Sequence, residues 1–127
     1  MLDDVVARLR HPDRWLLAFV VAAFVLWIAA VGPLRSWASE AGIRGHWTLG
    51  VAPSFFAGGT LAAWQALAAA TPPVASVVLA GALVSLAEVA HLAMPRQTAD
   101  LWDVVTGLAG AALSLPLLKW RWSHRAA

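Results

Sequence analysis

Glu88 is the residue whose type most demands a reason. It stands inside a long apolar stretch, and an ionisable group within a membrane span is costly and marks function by default. His91 follows three residues later, so the two share one helix face. Arg96 comes directly after Pro95, Asp100 and Asp103 open the next apolar segment, and His46 opens the one before. Glu88 and His91 are the candidate catalytic pair, one able to take a proton and the other to give it. Arg96 is the candidate donor to an anionic group, since a guanidinium makes charge-assisted and often bidentate bonds. Asp103 would orient that arginine, and Asp100 and His46 would complete the binding face.

Two other chemistries use the same residues. Glu88-x-x-His91 has the spacing of a ligand pair on bundle helices, and Asp100 or Asp103 could add oxygens. Di-metal bundles use that motif twice, however, and it occurs once here, so no metal or cofactor is expected. In the structural reading, Glu88 and Arg96 form an ion pair that fixes a helical hairpin.

The elements that must position these side chains are legible from the charge pattern. Trp15 to Leu34 is a run of twenty uncharged residues, enough at about 1.5 Å per residue to cross a bilayer core of about 30 Å. Gly45 to Ala87 is forty-three uncharged residues, about two crossings, and Thr71-Pro72-Pro73 divides them because paired prolines forbid continuous helix. A fourth segment begins near Asp100. The expected architecture is an all-α, integral membrane four-helix bundle forming one domain over 1–127, with helices over about 15–34, 47–70, 74–94 and 100–120. Pro53 and Gly58-Gly59 predict a kink or a close helix approach in the second helix. Gly107, Gly110, Ala111 and Ser114 give the fourth a small-residue face, against its own bundle or a partner membrane protein.

Four crossings place both termini on one side. Arg8, Arg10, Arg14, Lys119, Arg121 and Arg125 flank the termini, against Arg35, Arg44 and Arg96 in the opposite loops. The positive-inside rule therefore puts both termini in the cytoplasm and the Glu88 cluster in the outer leaflet. Trp15, Trp120 and Trp122 fall at the inner boundary and Trp37, Trp47 and Trp102 at the outer one, while Trp27 and Trp64 lie at packing depth.

Composition excludes much else. Of 127 residues, 61% are hydrophobic and 13% charged, about half the charge of a soluble domain. A chain so composed calls for a lipid bilayer. It has no cysteine, which removes thiolate nucleophiles and Cys-based metal sites. Its arginines sit in membrane flanks and form no basic stripe for nucleic acid.

The segment EVAHLAMPRQTADLWDVVTGLAGA resembles the C-terminal signature of the VanZ-like family, small multi-helix membrane proteins named after a teicoplanin-resistance protein. Glu88, Arg96, Asp100, Asp103, Gly110 and Ala111 match that signature in type and order. Arg44 with His46 resembles the basic residue and histidine that open the family's second helix. His91 stands where the family carries glutamine, and Gly107 where it carries asparagine. The resemblance implies a bacterial inner-membrane protein of envelope or antibiotic-tolerance biology. Its outer-leaflet site would take an anionic, lipid-linked or glycan-bearing envelope component. The alternative function is a non-catalytic accessory subunit that docks onto a larger membrane complex through helix four.

Overall fold

Paired prolines, a glycine–proline step and a capping aspartate punctuate the chain of the computed structural model, which describes residues 2–10, 12–42, 47–94 and 100–125. Every regular element among them is helical: α1 (Leu2–Arg10), α2 (Arg14–Val31), α3 (Pro33–Glu40), α4 (Trp47–Ala68), α5 (Pro73–His91), α6 (Leu101–Leu113) and α7 (Leu115–Arg125). Asp13 starts α2: its backbone is extended and its Oδ1 accepts from the amides of Trp15 and Leu16 at 3.1 and 3.2 Å, satisfying two N–H groups that a helix start leaves without partners. Gly32-Pro33 interrupts the first rod, so helix resumes over Pro33–Glu40 in what the sequence offered as an outer loop. The fourth rod is likewise broken, with Ser114 between α6 and α7.

Among the described residues three stretches are long and apolar enough to cross a membrane: Arg14–Glu40, Pro73–His91 and Leu101–His124. Helix α4 has the length but carries Pro53, Ser54, three glycines, Thr60 and Gln65, which dilute its hydropathy. The reason is its position. It is the helix against which α2, α5 and α6 all pack, so its surface meets protein backbones rather than lipid. The core joins Leu16 and Val20 of α2 to Ala62, Ala63, Ala66 and Leu67 of α4, Ala80 of α5, Ala111 of α6 and Leu118 of α7. The start of α2, the end of α4 and the end of α7 therefore share one end of the bundle.

Two backbones nearly touch at the centre. A Cβ placed on Gly58 would collide with the Gly107 carbonyl oxygen, and one on Gly110 with the Phe55 carbonyl oxygen. The small-residue face of α6 is thus filled by α4 of the same chain, and the Gly58-Gly59 pair produces close approach within a continuous helix.

At the shared end, Arg121 donates through Nε and Nη2 to Asp13 Oδ2 at 3.0 and 2.7 Å. This pair, bidentate on the arginine side, ties the first rod to the last. Trp15 and Trp120 meet edge to face at 6.1 Å beside it, and the Arg121 guanidinium lies 5.1 Å from the Trp120 ring centre. Trp64, expected at packing depth, is instead 44% exposed: the inner face of α4 is occupied by Ala62, Ala63 and Ala66, and the indole falls outside it. Trp27 is half-buried and meets Phe24 edge to face at 5.9 Å.

The glycine contact makes a prediction of opposite signs. An alanine within a helix normally gains up to about 1 kcal/mol over glycine, and at Gly50, where a Cβ would meet nothing within 4 Å, Gly50→Ala should be neutral or stabilising. Gly58→Ala and Gly110→Ala should each lose at least the roughly 1–3 kcal/mol typical of overpacking. Unfolding in detergent measures all three, and equal effects would contradict the backbone contact.

Candidate functional site

The buried stripe of α5 is Pro73, Ser76, Ala80, Gly81, Val84 and Glu88, spaced three and four residues apart along one helix face. Glu88 is therefore inside because it continues the line of Ala80 and Val84, and it is 8% exposed. A buried carboxylate needs partners, and among the described residues it has two. His91 Nδ1 lies within hydrogen-bond distance of Glu88 Oε2, at 3.2 Å, as the spacing of three residues predicts. The backbone N–H of Asp100 also donates to Oε2, at 3.3 Å. Asp100 in turn caps α6, its Oδ1 accepting from the Trp102 amide at 2.9 Å. One carboxylate thus holds the residue that starts the neighbouring helix.

Asp103, one turn into α6, points elsewhere. Its Oδ1 accepts from the Ser54 hydroxyl of α4 at 2.9 Å, and Thr106 donates to the Trp102 carbonyl at 2.7 Å and reaches the Val51 carbonyl at 3.4 Å. Asp103 shares this end of the bundle with the charges of Glu88, Asp100 and Arg35. Arg35, on α3, donates to the Gly50 carbonyl at 3.5 Å. Ser54, Thr106 and Arg35 were not among the residues singled out by type, since nothing in the sequence signals which hydroxyl lies across from which carboxylate.

Asp100 stands between two clefts. One, of about 280 Å³ between α5 and α6, is lined by Ser85, Glu88, Val89, Leu92, Asp100, Leu101 and Val104. The other, of about 370 Å³ between α4 and α6, is lined by Gly50, Val51, Asp100 and Trp102. The first has a carboxylate at its base and exposed aliphatic side chains, Val89, Leu92 and Leu101, at its rim.

The structure thus brings Glu88, His91 and Asp100 together and sets Asp103 on the α4 side of the same end. Arg96 and His46, with Arg44, lie outside the described residues, and so does the expected pairing of Asp103 with Arg96; the described partner of Asp103 is Ser54. Among the described residues no group of three or more histidine, aspartate or glutamate side chains could hold a metal ion.

No protein-family model, curated protein or solved structure matches the chain. The local geometry nevertheless accounts for the glycine at position 107. A Cβ on Gly107 would strike Val84 Cγ1 and stand 3.3 Å from the Ser54 carbonyl oxygen. There is no room for an asparagine where α4, α5 and α6 converge.

The two bonds to Glu88 set the order of stability losses. Glu88→Ala strands the Asp100 amide and should cost about 1–3 kcal/mol. Glu88→Gln keeps an acceptor oxygen and should cost less, and Asp100→Ala should cost the roughly 1 kcal/mol of a helix cap. Thermal unfolding of the three variants in detergent tests the order; a silent Glu88→Ala would deny the contact any structural weight.

Proposed function

We propose that the chain is a VanZ-like protein of a bacterial inner membrane. In this reading its four rods cross the bilayer with both termini in the cytoplasm, and α4 crosses within a sheath formed by the other three. Its outer-leaflet site binds the polar part of a lipid-linked or glycan-bearing, anionic envelope component. The observation that carries this reading is Glu88: a carboxylate 8% exposed at the base of a cleft with an aliphatic rim. A water-soluble ligand would have no use for such a rim. An amphiphile would, its chain lying along Val89, Leu92 and Leu101 and its hydroxyl or amine groups donating to Glu88 and Asp100.

The described acceptors suit the donors of a glycan, and the anionic group falls to Arg96, which enters by sequence alone. Glu88 with His91 remains the acid/base pair should a reaction follow binding, and His46 and Asp103 would contribute from the α4 side. The accessory-subunit reading relied on the small-residue face of helix four. That face packs against α4, so a partner would have to use the aliphatic outer faces instead.

Reporter fusions test the frame: residue 127 and the 71–73 turn should report cytoplasm, and Ser39 the outside. Purification in mild detergent tests the site. Wild-type protein should carry a defined envelope lipid, Glu88→Gln should lose it without a matching fall in melting temperature, and Arg96→Lys should weaken it because an ammonium lacks the bidentate fork. An outward-facing C-terminus, or the same lipid complement in all three proteins, would overturn the proposal.

A further inference from the structure

Helix α1 has a two-sided surface that the bundle only half uses. At 100° per residue, Leu2, Val5, Val6 and Leu9 fall within one third of the helix circumference, while Asp3, Asp4, Ala7 and Arg10 lie outside that arc. Val5 is half-buried, and α1 packs against α4. Leu2, Val6 and Leu9 remain 79%, 42% and 42% exposed. Pro12 and the extended backbone of Asp13 separate α1 from α2, so the two helices are not one rod. The short connection to the start of α2 places the end of α1 near the level where Trp15 and Trp120 meet, and interfacial aromatics mark the level of lipid headgroups.

We propose that α1 is an in-plane helix seated in the inner-leaflet surface, with Leu2, Val6 and Leu9 inserted at the headgroup–acyl boundary. The inference rests on reading α2 as a membrane span. Three observations select lipid as the occupant of the stripe. The helix that follows α1 opens with an apolar surface of its own, Trp15, Leu17 and Val21 being 62%, 38% and 52% exposed, so the apolar solvent that α2 needs is at hand where α1 joins it. The apolar arc spans about a third of the circumference, the proportion of a helix lying along an interface, and the charges that would face water lie outside it. The side-chain charges of the segment also cancel, with Asp3 and Asp4 against Arg8 and Arg10. Its seating is accordingly driven by apolar insertion to a depth of about 5–10 Å and does not select anionic lipid.

The sequence contains no cysteine, which makes the test direct. Single cysteines through residues 2–10 of the full-length protein, and one at Val25 on the exposed face of α2, are labelled with a nitroxide in lipid nanodiscs. Accessibility to oxygen and to a water-soluble nickel chelate is then read at each position. The expected result is a helical period, with positions 2, 6 and 9 severalfold more oxygen-accessible and less nickel-accessible than positions 3, 7 and 10. The pattern should be unchanged between phosphatidylcholine alone and its mixture with phosphatidylglycerol, at low and at high salt. Water exposure throughout overturns the proposal, and so does shielding of the stripe from both probes, which would mean a protein neighbour. A period seen only with the anionic lipid overturns apolar insertion as its cause. If the Val25 label also lies in water, the membrane reading itself has failed; if Val25 is in lipid and α1 shows no period, only the in-plane helix has.

Discussion

The contact on which the rest of the bundle depends is the crossing of two bare backbones, α4 over α6, at Gly58, Gly107, Gly110 and the Phe55 carbonyl. In lipid there is little hydrophobic gain when helices associate, so close van der Waals approach must supply much of the attraction. With side chains absent at the crossing, the helices come near enough for Ser54 to reach Asp103 and for Thr106 to reach Val51. Spread apart by one methyl group, those hydrogen bonds would lose their geometry. Polar chemistry at one end of the molecule is in this sense a product of glycine placement nearer its centre.

The same constraint explains why the least hydropathic long helix is the innermost. A helix surrounded by others has no lipid to satisfy, and small or weakly polar residues are tolerated when neighbours or the helix's own carbonyls take their hydrogen bonds. Thr60 donates to the Phe56 carbonyl at 2.8 Å, and Gly59 lies against the Gly110 backbone. Conversely α5 turns Val74, Val78, Leu86 and Val89 outward, each more than half exposed. In a bilayer, burial within protein and hydrophobicity need not coincide.

Much of this could be read from the sequence wherever the signal was local. The proline pair between α4 and α5 and the i,i+3 meeting of Glu88 and His91 both depend on residues a few positions apart. Asp100 meets Glu88 through its backbone amide rather than its carboxylate, which residue type alone does not disclose. Long-range pairings were invisible: Ser54 with Asp103 is separated by 49 residues and Asp13 with Arg121 by 108, and no spacing rule connects them. Trp64 was misplaced because depth along a helix fixes height in the membrane, not the direction in which a side chain points. The amphipathic arc of α1 was present in the letters, but a short charged leader reads first as a topological flank.

The clasp between Asp13 and Arg121 has a meaning in time as well as in space. At a synthesis rate of roughly 5–20 residues per second, the 108 residues that separate the partners take roughly 5–20 s to make. Throughout that interval α2 can pack against α4, but the bond from the Asp13 side chain, 7% exposed in the finished bundle, to Arg121 cannot form. A rod made early therefore receives one of its fastenings late. Until Arg121 is made, α2 can be held to the bundle through α4, and the clasp is then added to a contact that already exists.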